Sequence, residues 1–196
     1  MRVLYIHGLE SGPGGRKVHN LRAAGFDVVA RAMPCGRRAL TRDPTAWPLL
    51  ALAWAGRPRR VTRRIVERSL EVQRPALAGV DVVVGSSFGG AIATRLLLEG
   101  SWTGPTVLLC PAGGLVAERL REPFPRLHHL AESVRERILV VHGRQDEVVP
   151  YTHSERLVSA AVRLQPVDDD HRLQRTSSPQ GLAGWVRTVA SDDGGS

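Results

Sequence analysis

The stretch Val80-Asp81-Val82-Val83-Val84-Gly85-Ser86-Ser87-Phe88-Gly89-Gly90-Ala91-Ile92-Ala93 constrains the fold of this chain more than any other. Residues 80–84 are β-branched and apolar enough for a buried strand covered by helices on both faces. Residues 91–98 suit a helix. The chain therefore reverses from strand to helix within about two residues, at Ser87. Such a turn strains the backbone of its central residue and lifts that side chain clear of the sheet. Gly85 and Gly89 remove the Cβ atoms that would collide where strand and helix meet. The pattern Gly85-Ser86-Ser87-Phe88-Gly89 makes Ser87 a candidate nucleophile, against the blander reading of a Gly/Ser-rich turn with no chemistry. Ser86 has the same hydroxyl but enters one residue before the strained position.

Strand and helix patterns alternate along the rest of the chain. Strands are expected at 2–7, 26–32, 105–110, 138–142 and 162–167, besides the one at 80–84. Helices are expected at 16–24, 61–73, 91–99, 152–161 and 179–189. Residues 44–56 read as a short helix or an apolar flap, and 115–137 as a helical excursion broken by Pro123 and Pro125. Apolar strands alternating with helices imply an α/β protein, a three-layer sandwich on a mostly parallel central sheet. One domain over 1–190 and a polar tail at 191–196 are expected, with no linker or repeat.

Composition removes several function classes. The 196 residues carry a formal charge of +8, and Lys17 is the only lysine among 27 basic residues. The arginines gather at 57–68 and 119–137 without interleaved aromatics or a nucleic-acid-binding motif, so the first group reads as the solvated face of a helix. No nucleic-acid partner and no membrane partner are expected, since no apolar run approaches a bilayer span. Residues 1–8 lead straight into a strand with no secretory pattern, and Cys35 and Cys110 suggest no disulfide scaffold; a cytoplasmic location is expected. No metal is expected, because metal-ligand spacings are missing. The glycine-rich run 12–17 lacks both phosphate-loop and dinucleotide spacing.

A serine hydroxyl needs a base, and the base needs an acid to fix its tautomer. Asp146 follows the strand at 138–142, and His171 follows the strand at 162–167. In a parallel sheet both loops open on the edge where Ser87 lies. Glu147 competes with Asp146, and Asp168, Asp169 and Asp170 stand beside the histidine; they are read as capping the following segment or pairing with Arg172. His19, His128, His129 and His153 are the other candidate bases, with His128 and His129 in the excursion. An oxyanion would be met by the Phe88 amide and by the Leu9 amide, with Gly8 letting that loop turn tightly. His7 is expected to prop the loop rather than act as a base.

Together His7-Gly8, the turn at 85–90, His142-Gly143-Arg144-Gln145-Asp146-Glu147-Val148-Val149-Pro150 and Asp170-His171 resemble the α/β-hydrolase superfamily. The form of the turn is similar to that of small bacterial esterases with a minimal lid. The resemblance implies a Ser87-His171-Asp146 triad, a Leu9/Phe88 oxyanion hole and no cofactor. It implies a serine hydrolase cleaving small carboxylic esters through an acyl-enzyme. A thioesterase, an amidase, or a hydrolase-like binding protein without turnover are the alternatives. Little chain remains for a cap, so residues 37–60 and 115–137 are expected to line a shallow slot with a basic rim open to anionic substrates. The sequence is silent on oligomeric state.

Overall fold

All strands of the sheet run the same way, and this puts every loop that matters on one edge. The computed structural model describes residues 1–9, 11–34 and 59–191. Within them β1 (Arg2–Ile6), β2 (Asp27–Val29), β3 (Val82–Ser86), β4 (Thr106–Leu109), β5 (Ile138–Gly143) and β6 (Arg163–Val167) form a sheet of order β2-β1-β3-β4-β5-β6. Each pairing is parallel. The helices are α1 (Arg16–Ala23), α2 (Arg59–Gln73), α3 (Phe88–Leu98), α4 (Gly113–Leu120), α5 (Glu132–Arg135), α6 (Tyr151–Leu157) and α7 (Pro179–Ala190), with 3-10 turns at Arg74–Leu77 and Leu127–His129.

Strand periodicity sorts the core into two layers. Val3, Tyr5, Val82, Val84, Val107 and Leu109 point to the face covered by α1 and α7. Leu4, Ile6, Val83, Leu108, Ile138 and Val140 point to the face covered by α2, α3 and α4. The result is the three-layer α/β sandwich the pattern implied. Val82, Val83 and Val84 are fully buried, each contributing about 1.5–3 kcal/mol. The arginine group on α2 lies where an amphipathic helix puts it: Arg59, Arg60, Arg63, Arg64 and Arg68 are exposed, while Val66 and Leu70 are buried.

Several element ends differ from expectation. The strand at 26–32 pairs only over Asp27–Val29, at the sheet edge. The central strand runs to Ser86 rather than stopping at 84, so the turn is even tighter than the sequence suggested. The helix at 152–161 stops at Leu157, because the chain turns through Ala161 at φ +73° to enter β6. The excursion at 115–137 breaks first at Arg121, in the left-handed region at φ +52°. Residues 44–56, Cys35 and the tail beyond 191 lie outside the described residues. No helix among the described residues is long and apolar enough to cross a membrane.

The crossing of α3 over β1 is the tightest joint in the sandwich. A Cβ on Gly89 would overlap the carbonyl of Ile6, and one on Gly85 would lie 2.7 Å from the Gly89 carbonyl oxygen. Gly184 is the opposite case, exposed in the middle of α7, where an added Cβ would meet nothing within 4 Å. Gly89→Ala is expected to cost at least about 3 kcal/mol in urea unfolding, the upper end for an overpacked core. Gly184→Ala is expected to gain about 0.5–1 kcal/mol from helix propensity. Equal midpoints for the two variants would mean that α3 does not press on β1.

Candidate active site

Ser87 occupies the turn between β3 and α3 at φ +56°, ψ −117°. A non-glycine residue held there costs on the order of 1–3 kcal/mol, and the surroundings must over-determine it. They do so with backbone bonds: Ser87 N donates to the Leu109 carbonyl at 2.8 Å, and the amides of Ala91 and Ala112 donate to the Ser87 carbonyl at 3.1 and 3.0 Å. Ser86 is buried beneath and faces the buried Tyr5 phenol, whose pKa burial pushes up and the Ser86 contact draws partly back. Ser87 is the less buried of the two serines.

Two loops meet the Ser87 hydroxyl. The loop after β6 brings His171, with Nε2 at 2.9 Å from Ser87 Oγ. The loop after β5 brings Asp146, whose Oδ2 lies 2.8 Å from His171 Nδ1. The acceptor at Nδ1 fixes the tautomer: Nδ1 carries the proton, and Nε2 accepts from Ser87. His171 is 15% exposed at its side chain and Asp146 is fully covered.

Asp146 gathers four donors. Its Oδ1 accepts from the amides of Val148 and Val149 at 2.9 and 2.8 Å. Its Oδ2 accepts from His171 and also from His142 Nε2 at 3.1 Å. Burial by itself would raise this carboxyl, but the bonds from His142, His171 and Val149 outweigh it and hold the group well below the usual carboxylate range. His142 is a partner that the sequence pattern did not reveal. It is fully buried, its Nε2 also lies 3.0 Å from the Val149 carbonyl, and its Nδ1 lies 2.6 Å from Ser154 Oγ. With two acceptors at Nε2, the proton sits there and Ser154 donates to Nδ1. A Ser154-His142-Asp146 chain thus meets the Ser87-His171-Asp146 chain at one carboxylate. Ser154 is fully buried and Ser87 is not, so only the second chain can meet a ligand.

The other acids fall into place as loop anchors. Asp169, 2% exposed, accepts from Asp170 N, Arg175 N, Thr176 N and Thr176 Oγ1. Asp170 Oδ1 accepts from Arg172 N, and Asp168 Oδ1 from Gln145 Nε2. Gln145 N in turn donates to the Asp169 carbonyl, stitching the β5 and β6 loops together. Glu147 is exposed and makes no such bond among the described residues. His19, His128 and His129 are exposed, His153 packs edge-on against Phe124, and none lines the space beside Ser87. His7 lies against its own loop, donating from Nδ1 to the Gly8 carbonyl at 2.8 Å and accepting from Met33 N at 3.3 Å.

Gly8 brings the β1 loop against the serine. A Cβ there would stand 3.1 Å from that of Ser87. Neither the Leu9 nor the Phe88 amide donates to another backbone carbonyl among the described residues. Cys110, at φ +44° after β4, is buried, and its thiol lies with the Asp146 carboxylate and the His171 ring inside 4.8 Å. Burial, and Asp146 beside it, push the thiol up, so it stays protonated. A protonated thiol beside a carboxylate already holding four donors is a poor fit for a cation.

Beside Ser87 and His171 lies a cavity of about 540 Å³. Its walls are not those expected. No residue of 115–137 reaches it, because Leu120 and Leu127 are drawn into the core under α3 and α4. The walls come instead from the β1 loop, the start of α1 and the loop after β6, including Leu9, Lys17 and Arg172. The stretch 37–58 lies outside the described residues.

No family model matches the chain, and no curated protein sequence matches it either. Solved structures do. A protein of Xanthomonas campestris pv. campestris described as a hydrolase of the alpha/beta superfamily is 23% identical, with TM-score 0.54 over 97% of this chain and 96% of its own. A monoacylglycerol lipase of Paleococcus ferrophilus is 16% identical, with TM-score 0.59 over 96% and 94%. The ydeN gene product of B. subtilis is 15% identical, with TM-score 0.61 over 97% and 99%. These likenesses run the whole length of the described sandwich, and the chain has the fold of the α/β-hydrolase superfamily.

Proposed function

We propose that this chain is a serine hydrolase that cleaves small carboxylic esters through an acyl-enzyme, with Ser87 as nucleophile, His171 as base and Asp146 as acid. The observation that carries the reading is the unbroken hydrogen-bond chain from the Ser87 hydroxyl through His171 to Asp146, at the wall of an open cavity. Ser87 Oγ attacks the acyl carbon as its proton passes to His171 Nε2. Asp146 stabilises the imidazolium so formed, and the Leu9 and Phe88 amides receive the oxyanion. His171 then gives the proton to the departing alkoxide. A water deprotonated by the same ring attacks the acyl-enzyme, and the acid leaves as Ser87 recovers its proton. Every group in this cycle is supplied by the chain. The strand-turn-helix at Ser87 is read as a nucleophile elbow of the kind found in small esterases with little lid, and 1–190 as one domain. Thioesters fit the same machinery.

Ser87→Ala is expected to lower 4-nitrophenyl ester turnover by about 10⁴-fold or more without unfolding the protein, and Asp146→Asn by about 10³–10⁴-fold, since an amide presents the wrong partner to Nδ1. Ser154→Ala keeps a nucleophile and should retain most of the rate. Loss on Ser154→Ala with activity kept on Ser87→Ala would transfer the chemistry to the buried chain and refute the assignment.

Little chain is left over from the sandwich to wall a long tunnel, which favours a short to medium acyl chain. Each methylene moved out of water is worth about 0.8 kcal/mol, roughly fourfold in kcat/KM. In a series of 4-nitrophenyl esters from acetate to palmitate, kcat/KM is expected to climb over the first few carbons and then level. A maximum at palmitate would contradict a short pocket.

A further inference from the structure

The charge around the cavity is lopsided. Arg16, Lys17 and Arg172 line it together with Ser87 and His171, and no Asp or Glu among the described residues does. Lys17 is the only lysine in a chain of 27 basic residues. Among the described residues its Nζ makes one hydrogen bond, to the Arg172 carbonyl at 2.7 Å, out of the three N–H donors it carries. Arg16 is held by the carbonyls of Leu173 and Gln174 and by Ser177 Oγ, acceptors that fix the guanidinium without neutralising it. Neither Arg16 nor Lys17 is paired with a carboxylate among the described residues.

We propose that the substrate carries a second, negatively charged group, a carboxylate or phosphate set apart from the ester, and that Lys17 holds it with Arg16 and Arg172 beside it. This rests on the reading of Ser87 as the nucleophile, since the cations and the hydroxyl share one cavity. Among the described residues neither Asp169 nor Asp170 forms an ion pair with the ammonium, though the charge of both favours its protonated form. The Asp169 carboxylate is taken by Asp170, Arg175 and Thr176, and Asp170 Oδ1 accepts from Arg172 N. A half-buried ammonium attracts an anion more strongly than one in bulk water does.

Lysine gives the site a pH response that arginine alone would lack. The charged and titratable groups facing the ammonium are Arg16, Cys110, Asp169 and Asp170, with Arg172 lining the cavity beside it. Burial lowers Lys17 from its ordinary value to about 8; Arg16 pushes the same way, against Cys110, Asp169 and Asp170. A lowered lysine is charged below its pKa, so the preference for an anion is full near pH 7 and fades as the pH rises through about 8, while both arginines keep their charge.

The test compares 4-nitrophenyl hexanoate with the mono-4-nitrophenyl esters of adipate and of 6-phosphonohexanoate. All three have the same six-carbon acyl chain, and the last two distinguish carboxylate from phosphate chemistry. The ratio of kcat/KM, anionic to neutral, cancels the titration of His171. It is expected to be about tenfold or more at pH 7 and low salt, and to fall with salt, above pH 8 and in Lys17→Met. A ratio near one for both anions, or one unmoved by Lys17→Met, overturns the proposal. A second measurement does not need turnover. In Ser87→Ala protein, monomethyl adipate should protect Lys17, the only side-chain amine, from acetic anhydride as read by mass spectrometry, and methyl hexanoate should not. Protection without hydrolysis in the wild type would keep the anion site and discard the hydrolase reading. Hydrolysis of all three esters without protection and without a ratio would do the reverse.

Discussion

One buried carboxylate ties the working edge of this molecule together. Asp146 takes two amides of its own turn, one imidazole from the end of β5 and one from the loop after β6. Removing it from water is costly, and leaving it unpaired would be costlier. Four donors from three pieces of chain therefore have to be present at once. The sheet makes this possible only because it is parallel: the ends of β3, β5 and β6 all face the same side. The crevice itself opens beside β1 and β3, where the strand order reverses: β2 lies to one side of β1 and β3 to the other.

Two histidines share that carboxylate, and their surroundings give them different work. His142 is sealed in, with a hydroxyl on one nitrogen and two oxygens at the other, so every hydrogen-bonding atom of its ring is used inside the protein. His171 has the carboxylate on one side and a hydroxyl at the cavity wall on the other. In the proposed mechanism a proton arriving on His171 would be stabilised by Asp146 and passed outward. One arriving on His142 would have nowhere to go. His142 Nε2 lies against the same Oδ2 that meets His171.

Much of this was readable in the sequence, and for definite reasons. The valine run before Ser87 and the small residues after it leave few ways to build the turn, and apolar strands alternating with helices leave few sheets. Asp146 and His171 were legible because a parallel sheet gathers the ends of its strands. Their helpers were not. His142 lies in an apolar strand, where a histidine looks like ordinary core, and its tie to Ser154 depends on how α6 packs. Asp169 stands among three consecutive aspartates, and nothing in their order says which one turns inward to hold Thr176. The cavity walls were misjudged for a related reason. Leucines at 115–130 signal only that they leave water, and here Leu120 and Leu127 do so in the core rather than over the serine. The glycine-rich run before α1 matched no phosphate motif, yet it delivers Arg16 and Lys17 to the site through the helix it starts.

The cations also act on the chemistry beside them. Lys17 and Arg172 share a cavity with His171, and in the proposed mechanism positive charge there would work against the charged intermediate on the base. The same field favours the oxyanion that forms in the same step. In that mechanism proton transfer from Ser87 to His171 would create one charge of each sign, so a cationic wall would help one half of the step and hinder the other. Asp146 restores the balance on the imidazole side, where it is in direct contact at 2.8 Å and shielded from water. Contact at that range outweighs charges across an open cavity, where solvent screens the field. A carboxylate held well below its usual range thus suits a basic cavity as well as the histidine's tautomer. Without it, the charge that could draw an anionic substrate in would also hold back the base that has to act on it.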